Sequence, residues 1–175
     1  MAVTHIYFDW SKTLALPKTR DIFMSPHATV NQRLAVLYPD TLSILDYLCK
    51  KGYILGIISN THKSPTNFVR ALSETGLIHY FKGAIALSSD STLCKKACTK
   101  IFKYCLKYDG LLAHPEKAVM IGDDYAKDVI GGLNVGMRAI HVDRDSGNTL
   151  PRTKSVRQLK SWIRVSTLSD LLQCF

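Results

Sequence analysis

At 175 residues, 46% of them hydrophobic, the chain has the length of one domain and enough apolar material to bury roughly two-thirds of the surface its unfolded form exposes. No apolar run approaches the ~20 residues of a membrane span, and the N-terminus lacks the basic and long apolar stretches of a secretion signal, so the expectation is a soluble, cytoplasmic protein with no membrane partner. The net charge of +9 admits an anionic partner, nucleic acid or acidic protein, but no nucleic-acid motif or aromatic interleaving accompanies the charges.

Short apolar runs alternate with longer segments of helical period along the whole chain, which predicts a parallel sheet with helices on both faces. The first strand is expected at Thr4 to Phe8. A helix follows the Tyr38-Pro39 pair over Asp40 to Lys50, then a strand at Tyr53 to Ser59 and a helix at Ser64 to Thr75 with Pro65 in its first turn. Next come a strand at Ala84 to Leu87, a helix at Ser91 to Tyr108, a strand at Ala118 to Ile121 and a helix at Tyr125 to Leu133. Strands at Ala139 to His141 and Trp162 to Val165 and a short helix at Leu168 to Cys174 complete the order. Gly52, Gly76 and Gly136 fall just past helix ends, where a left-handed residue commonly closes a helix. The fold class is α/β, a Rossmann-like three-layer sandwich, and Asp143 to Lys154 reads as the most loop-like stretch.

In the Ser91 to Tyr108 helix, Lys96, Lys100, Lys103 and Lys107 form a basic outer stripe opposite Cys98, Ile101, Phe102 and Cys105. A second basic stretch runs through Arg152, Lys154, Arg157, Lys160 and Arg164. The five cysteines, Cys49, Cys94, Cys98, Cys105 and Cys174, are odd in number and form no CxxC pair, which supports neither a disulfide framework nor a zinc site.

Ligands of open parallel sheets lie beyond the carboxyl ends of the strands, so the residues that follow each run carry the argument. Asp9 follows the first strand, Ser59 ends the second, and Asp123 and Asp124 follow the fourth. Clustered carboxylates repel one another unless a cation sits among them, and hard oxygen donors of this kind favour magnesium.

These residues fall in four ordered motifs. "IYFDWSKTL" carries Asp9, Ser11 and Thr13; "LGIISN" ends in Ser59 and Asn60; "KKACTKIF" offers Lys96, with Lys95 less well aligned; and "VMIGDDYAKDVIGGLNVGM" carries Asp123, Asp124 and Asp128. The set resembles the haloacid dehalogenase superfamily of phosphohydrolases over nearly the whole chain. That resemblance implies a phosphorylated substrate, Mg2+ as cofactor, and transfer through an aspartyl-phosphate on Asp9. It further implies metal contacts from Asp9, the main-chain carbonyl of Ser11 and Asp123, with Asp124 or Asp128 holding metal-bound waters. Thr13, Ser59, Asn60 and Lys96 are then the substrate-binding set, and Asp9, Ser11, Ser59 and Lys96 the catalytic one.

The chain departs from the family pattern at Ser11, where the phosphatases carry a second acid that protonates the leaving oxygen and later activates water. General acid–base catalysis is worth about 10²–10⁴ in rate, so a weak or leaving-group-selective enzyme is expected. Position 11 is not aromatic, which argues against haloacid dehalogenation. Of His5, His27, His62, His79, His114 and His141, His62 is nearest by strand-end logic to a replacement base. The alternative is a catalytically silent protein that keeps the metal and phosphate site as a binding scaffold. The spacing leaves no room for a helical cap, so a single domain over 1–175 resembling the small magnesium-dependent phosphatases is expected. A short flap would span about 15–31, carrying Pro17, Lys18 and Arg20, and leave the site open enough for a macromolecular substrate.

Overall fold

The computed structural model describes residues 2–17, 36–60, 64–88, 96, 98–144 and 162–175. Six strands form one sheet: β1 (His5–Phe8), β2 (Ile54–Asn60), β3 (Ile85–Ser88), β4 (Ala118–Gly122), β5 (Arg138–Val142) and β6 (Trp162–Val165). Their spatial order is β3-β2-β1-β4-β5-β6, and every neighbouring pair is parallel. All six expected strands are present within one or two residues of their expected ends. The chain order reverses beside β1, so the ends of β1, β2 and β4 meet at the switch point where such sheets bind ligands.

The two-residue period of a strand sends successive side chains to opposite faces and so builds two cores. Ile6 and Phe8 of β1 join Leu55, Ile57, Val119 and Ile121 on one face. That face packs on Ile44, Leu45 and Leu48 of α1 (Thr41–Lys50) and on Phe68 and Leu72 of α2 (Pro65–Glu74). Tyr7, between Ile6 and Phe8, points the other way, to Ile58, Met120 and the buried stripe Ile101, Phe102, Cys105 and Leu106 of α3 (Lys100–Tyr108). Ser64 opens α2 with its side chain accepting from Asn67 N, and Pro65 occupies a first-turn position where its missing N–H costs nothing.

Three expected helices differ in form. The one expected from Ser91 begins at Lys100: Lys96 lies in a turn, Cys98 and Thr99 precede the helix, and Ser91 to Lys95 lie outside the described residues. The reason is tertiary. Lys96 gives its backbone N–H to Asn60 Oδ1 and its side chain to the interior, so it is buried and leaves only Lys100, Lys103 and Lys107 exposed as the outer stripe. The helix expected over Tyr125 to Leu133 is a π turn (Tyr125–Val129) followed by the short α4 (Ile130–Leu133). A π turn is a wide coil that recurs at functional sites, and this one carries Asp128 inward. The C-terminal helix is a 3₁₀ segment, Leu168–Gln173, opened by a capping box between Thr167 and Asp170.

The cysteine expectation needs one correction. Cys98 is disulfide-bonded, while Cys49, Cys105 and Cys174 are free thiols. A bridge needs neither an even cysteine count nor a CxxC pair, which is why counting overlooked it. Of the second basic stretch only Arg164 lies among the described residues, and it is paired with Asp143 rather than free.

Candidate active site

Asp9 is the first residue past β1, and its backbone N–H extends the β1–β4 ladder to Ile121 O at 2.8 Å. The ladder fixes the direction in which its carboxylate leaves the sheet. Ser59, at the end of β2, donates its hydroxyl to Asp9 Oδ1 at 3.1 Å. From the far side of the chain Lys96 donates its ammonium to the same Oδ1 and to Asp128 Oδ1, the latter at 2.7 Å. Asp128 Oδ2 in turn accepts from Asp124 N at 3.0 Å. This close seat requires Gly122, because a Cβ there would stand 2.1 Å from Asp128 Oδ2.

Burial sets the electrostatics. Asp128 is 1% exposed, and desolvation pushes its carboxyl up to about 7 despite the Lys96 ammonium beside it. Burial and the nearby Asp9 charge also raise Asp123. Desolvation disfavours the charge on Lys96, 2% exposed, but the two carboxylates it bridges outweigh it and raise its pKa. Asp124 goes the other way: burial pulls it up, but hydrogen bonds from Lys127 prevail and hold it low.

The residues singled out in the sequence separate into groups. Asp9, Asp123 and Asp128 each offer an oxygen, all within 4.8 Å of one another. Asp124 is not part of that trio; its Oδ1 caps the π turn through Lys127 N at 2.9 Å and its Oδ2 pairs with the Lys127 ammonium. Thr13 is fully buried and reaches Asp123 Oδ1 through a long hydrogen bond of 3.5 Å. Ser11 is exposed on the wall of a cavity of about 270 Å³, shared with Asp9, Asn60, Lys96, Asp123, Asp124 and Asp128. His62, Lys95, Lys18 and Arg20 lie outside the described residues.

Three residues of the site, Lys12, Lys127 and Arg144, were not singled out from the sequence, and His141 was named there only among the candidate replacement bases. Lys12 and Lys127 line the cavity. His141, at the end of β5, places Nε2 2.9 Å from Asp123 O; a carbonyl only accepts, so that nitrogen carries a proton and steadies the β4 end. Arg144 comes from the stretch read as loop. Its Nη2 donates to Thr13 O and Asp40 Oδ1, both at 3.0 Å, and its guanidinium lies 3.7 Å from the centre of the Tyr38 ring. It thereby ties the first-motif turn to the start of α1, which also receives Leu168 N on Asp40 Oδ2. Side chains on strand ends are visible in a sequence; those that arrive from distant turns are not.

Three converging carboxylates with hard oxygen donors fit a divalent cation of the magnesium type, and a trio of acids with two members buried needs positive charge to be stable. A lysine that already bridges two of the three is consistent with a place built to concentrate and balance negative charge.

The sequence matches the family described as haloacid dehalogenase-like hydrolase over residues 5–142. It is 32% identical over 147 residues to the glyceraldehyde 3-phosphate phosphatase of Methanothermobacter thermautotrophicus, covering 82% of this chain but only 60% of the length of that relative. Among solved structures, an uncharacterized protein from Listeria monocytogenes superposes with a TM-score of 0.75 at 24% identity, covering 98% of this chain and 96% of that one. A HAD phosphatase from Thermococcus onnurineus does so with a TM-score of 0.69 at 21% identity, covering 98% and 97%. At these identities the structural likenesses speak for the fold. The family match takes in β1 through β5 and every acid of the site, and the chain belongs to the haloacid dehalogenase-like hydrolase family.

Proposed function

We propose that the chain is a magnesium-dependent phosphohydrolase in which Asp9 is the nucleophile, and that Ser11 makes it weak or selective for good leaving groups. The supporting observation is the position of Asp9: nearly buried at the switch point, held by Ser59 and Lys96, and within reach of Asp123 and Asp128. Asp9, Asp123 and Asp128 would hold the cation, which when bound cancels the repulsion between a carboxylate nucleophile and an anionic phosphate.

The chain's own groups account for the steps. A carboxylate oxygen of Asp9 forms a bond to phosphorus as the bond to the leaving oxygen breaks, giving an aspartyl-phosphate. Ser59 and Lys96 restrain the nucleophile, Ser59 with a hydroxyl donor and Lys96 with the positive charge it can offer to the phosphoryl oxygens. Water then attacks phosphorus, the bond to Asp9 breaks, and inorganic phosphate departs. In both steps a proton must move, and Ser11 offers a hydroxyl where a carboxyl would serve; the leaving group must depart with little assistance.

Two further readings accompany this one. The segments between β2 and β4 that the structure describes are α2, a 3₁₀ turn, β3 and α3, all part of the sandwich, which supports a single domain without an inserted cap. The substrate is a phosphorylated molecule that enters a cavity whose wall at Ser11 and Lys12 is exposed. Ser11 also favours a second function, metal and phosphate binding without turnover. Hydrolysis of an aryl phosphate with magnesium separates the two: activity that disappears in Asp9→Asn is expected, and activity indifferent to that change would overturn the enzymatic reading.

A further inference from the structure

We infer that Lys12 is a specificity-determining residue that binds a second anionic group of the substrate, a carboxylate or phosphate lying beyond the phosphoester oxygen. The inference rests on the phosphohydrolase reading of the same cavity and names its substrate class.

Lys12 is the non-glycine residue with positive φ among the described residues, at 61°. That left-handed conformation is strained for a residue with a side chain, and glycine takes it freely. A tight turn imposes it: Lys12 N donates to Ala15 O at 2.7 Å, while Leu14 N and Ala15 N both donate to Trp10 O, at 3.0 and 2.9 Å. A long cationic residue kept where the backbone favours glycine is strain held at a ligand cavity, where such strain tends to have a use.

The other ammonium groups of the cavity are committed. Lys96 is buried between Asp9 and Asp128, and Lys127 is paired with Asp124. Lys12 is exposed at the wall with no carboxylate at salt-bridge distance among the described residues, although its charge is felt by Asp123. Its neighbour Ser11 stands where the resemblance puts the group that meets the leaving oxygen. The two adjacent positions that border the departing part of the substrate are thus neutral and cationic, in a cavity whose other walls carry Asp9, Asp123, Asp124 and Asp128. A flexible ammonium at this point selects by charge rather than by shape, which suits a small, doubly anionic phosphomonoester.

The test compares phosphoglycolate with ethyl phosphate, which differ by a carboxylate in place of a methyl group, as ligands of the full chain in magnesium, measured by calorimetry. The wild type is expected to bind phosphoglycolate about tenfold more tightly, the scale of a charge-assisted hydrogen bond. Lys12→Gly and Lys12→Ala should erase that preference and Lys12→Arg retain most of it. Lys103→Gln, on the exposed face of α3, should retain it fully, which sets aside the overall positive charge of the chain. Lys12→Gly should also melt at or above the wild-type temperature, since it relieves the turn; a residue kept for structure alone would not be improved by its loss. Absence of a preference in the wild type, or a preference that survives Lys12→Gly, would overturn the inference. Turnover of an aryl phosphate is measured alongside: if it is absent while the binding preference follows Lys12, the phosphohydrolase reading fails and the assignment of Lys12 as an anion-binding residue stands.

Discussion

Lys96 and Asp128 face each other at 2.7 Å in the interior, and the same ammonium also bonds Asp9, so one lysine from a turn before α3 closes a triad whose acids come from the end of β1 and the π turn after β4. Breaking a buried ion pair by removing one partner leaves the other charge uncompensated, which costs more than the pair contributes. Lys96→Met, nearly equal in volume, is expected to lower the stability of the metal-free protein by about 3–5 kcal/mol in urea denaturation. A loss within the about ±0.5 kcal/mol typical of surface changes would show that the acids are balanced some other way.

The three-acid cluster predicts a metal-dependent stability. Magnesium at 100 times its dissociation constant should stabilise the wild type by about 2.7 kcal/mol, because it binds the folded chain alone. Asp123→Asn removes one of the three negative charges and should remove most of that gain, with a chelator restoring the metal-free value in the wild type. Thermal denaturation with and without magnesium checks it; equal shifts in the two proteins would remove Asp123 from the site.

Ser11→Asp returns a carboxyl to the cavity wall. Hydrolysis of an alkyl phosphate should rise by about 10²–10⁴, the usual value of general acid–base catalysis, and that of an aryl phosphate by much less. Steady-state kinetics on the two substrates read the ratio, and an unchanged alkyl rate would mean that the turn from Trp10 to Ala15 does not aim residue 11 at the leaving oxygen.

The strands were legible because short apolar runs between segments of helical period carry their own signal, and with six strands in place the parallel switch point brought Asp9, Ser59 and Asp123 together. Asp128 was legible from its motif but not its depth, since burial depends on the π turn and on the missing Cβ of Gly122. Lys96 was recognised while its setting was misread: helical spacing with Lys100 suggested an outer stripe, and only the three-dimensional pull of Asn60, Asp9 and Asp128 takes it out of the helix and into the core. Arg144 and Lys12 were missed because their roles depend on turns whose geometry no periodicity records.

His5 gives a pH dependence away from the cavity. Burial lowers its imidazole from 6.5, only partly opposed by the Asp109 charge, so the folded chain holds this proton less well than the unfolded one. Its contribution to stability is therefore complete above about pH 6.5 and is lost as the pH falls toward the folded value. The acid limb of the thermal midpoint should be steeper in the wild type than in His5→Gln, and parallel limbs would contradict the buried neutral ring stacked on Tyr7.

The most direct test of the proposal that Asp9 is the nucleophile uses the serine that stands at position 11 where the family pattern has an acid. With an aryl phosphate and magnesium, the first step needs no acid, whereas the second lacks a group to activate water, so the aspartyl-phosphate should accumulate. Rapid-quench kinetics with mass analysis of the peptide containing Asp9 should show a burst of released phenol and a phosphoryl group on that residue, both absent in Asp9→Asn. Steady turnover without a burst, no phosphorylated peptide, and equal rates in Asp9→Asn would contradict the account.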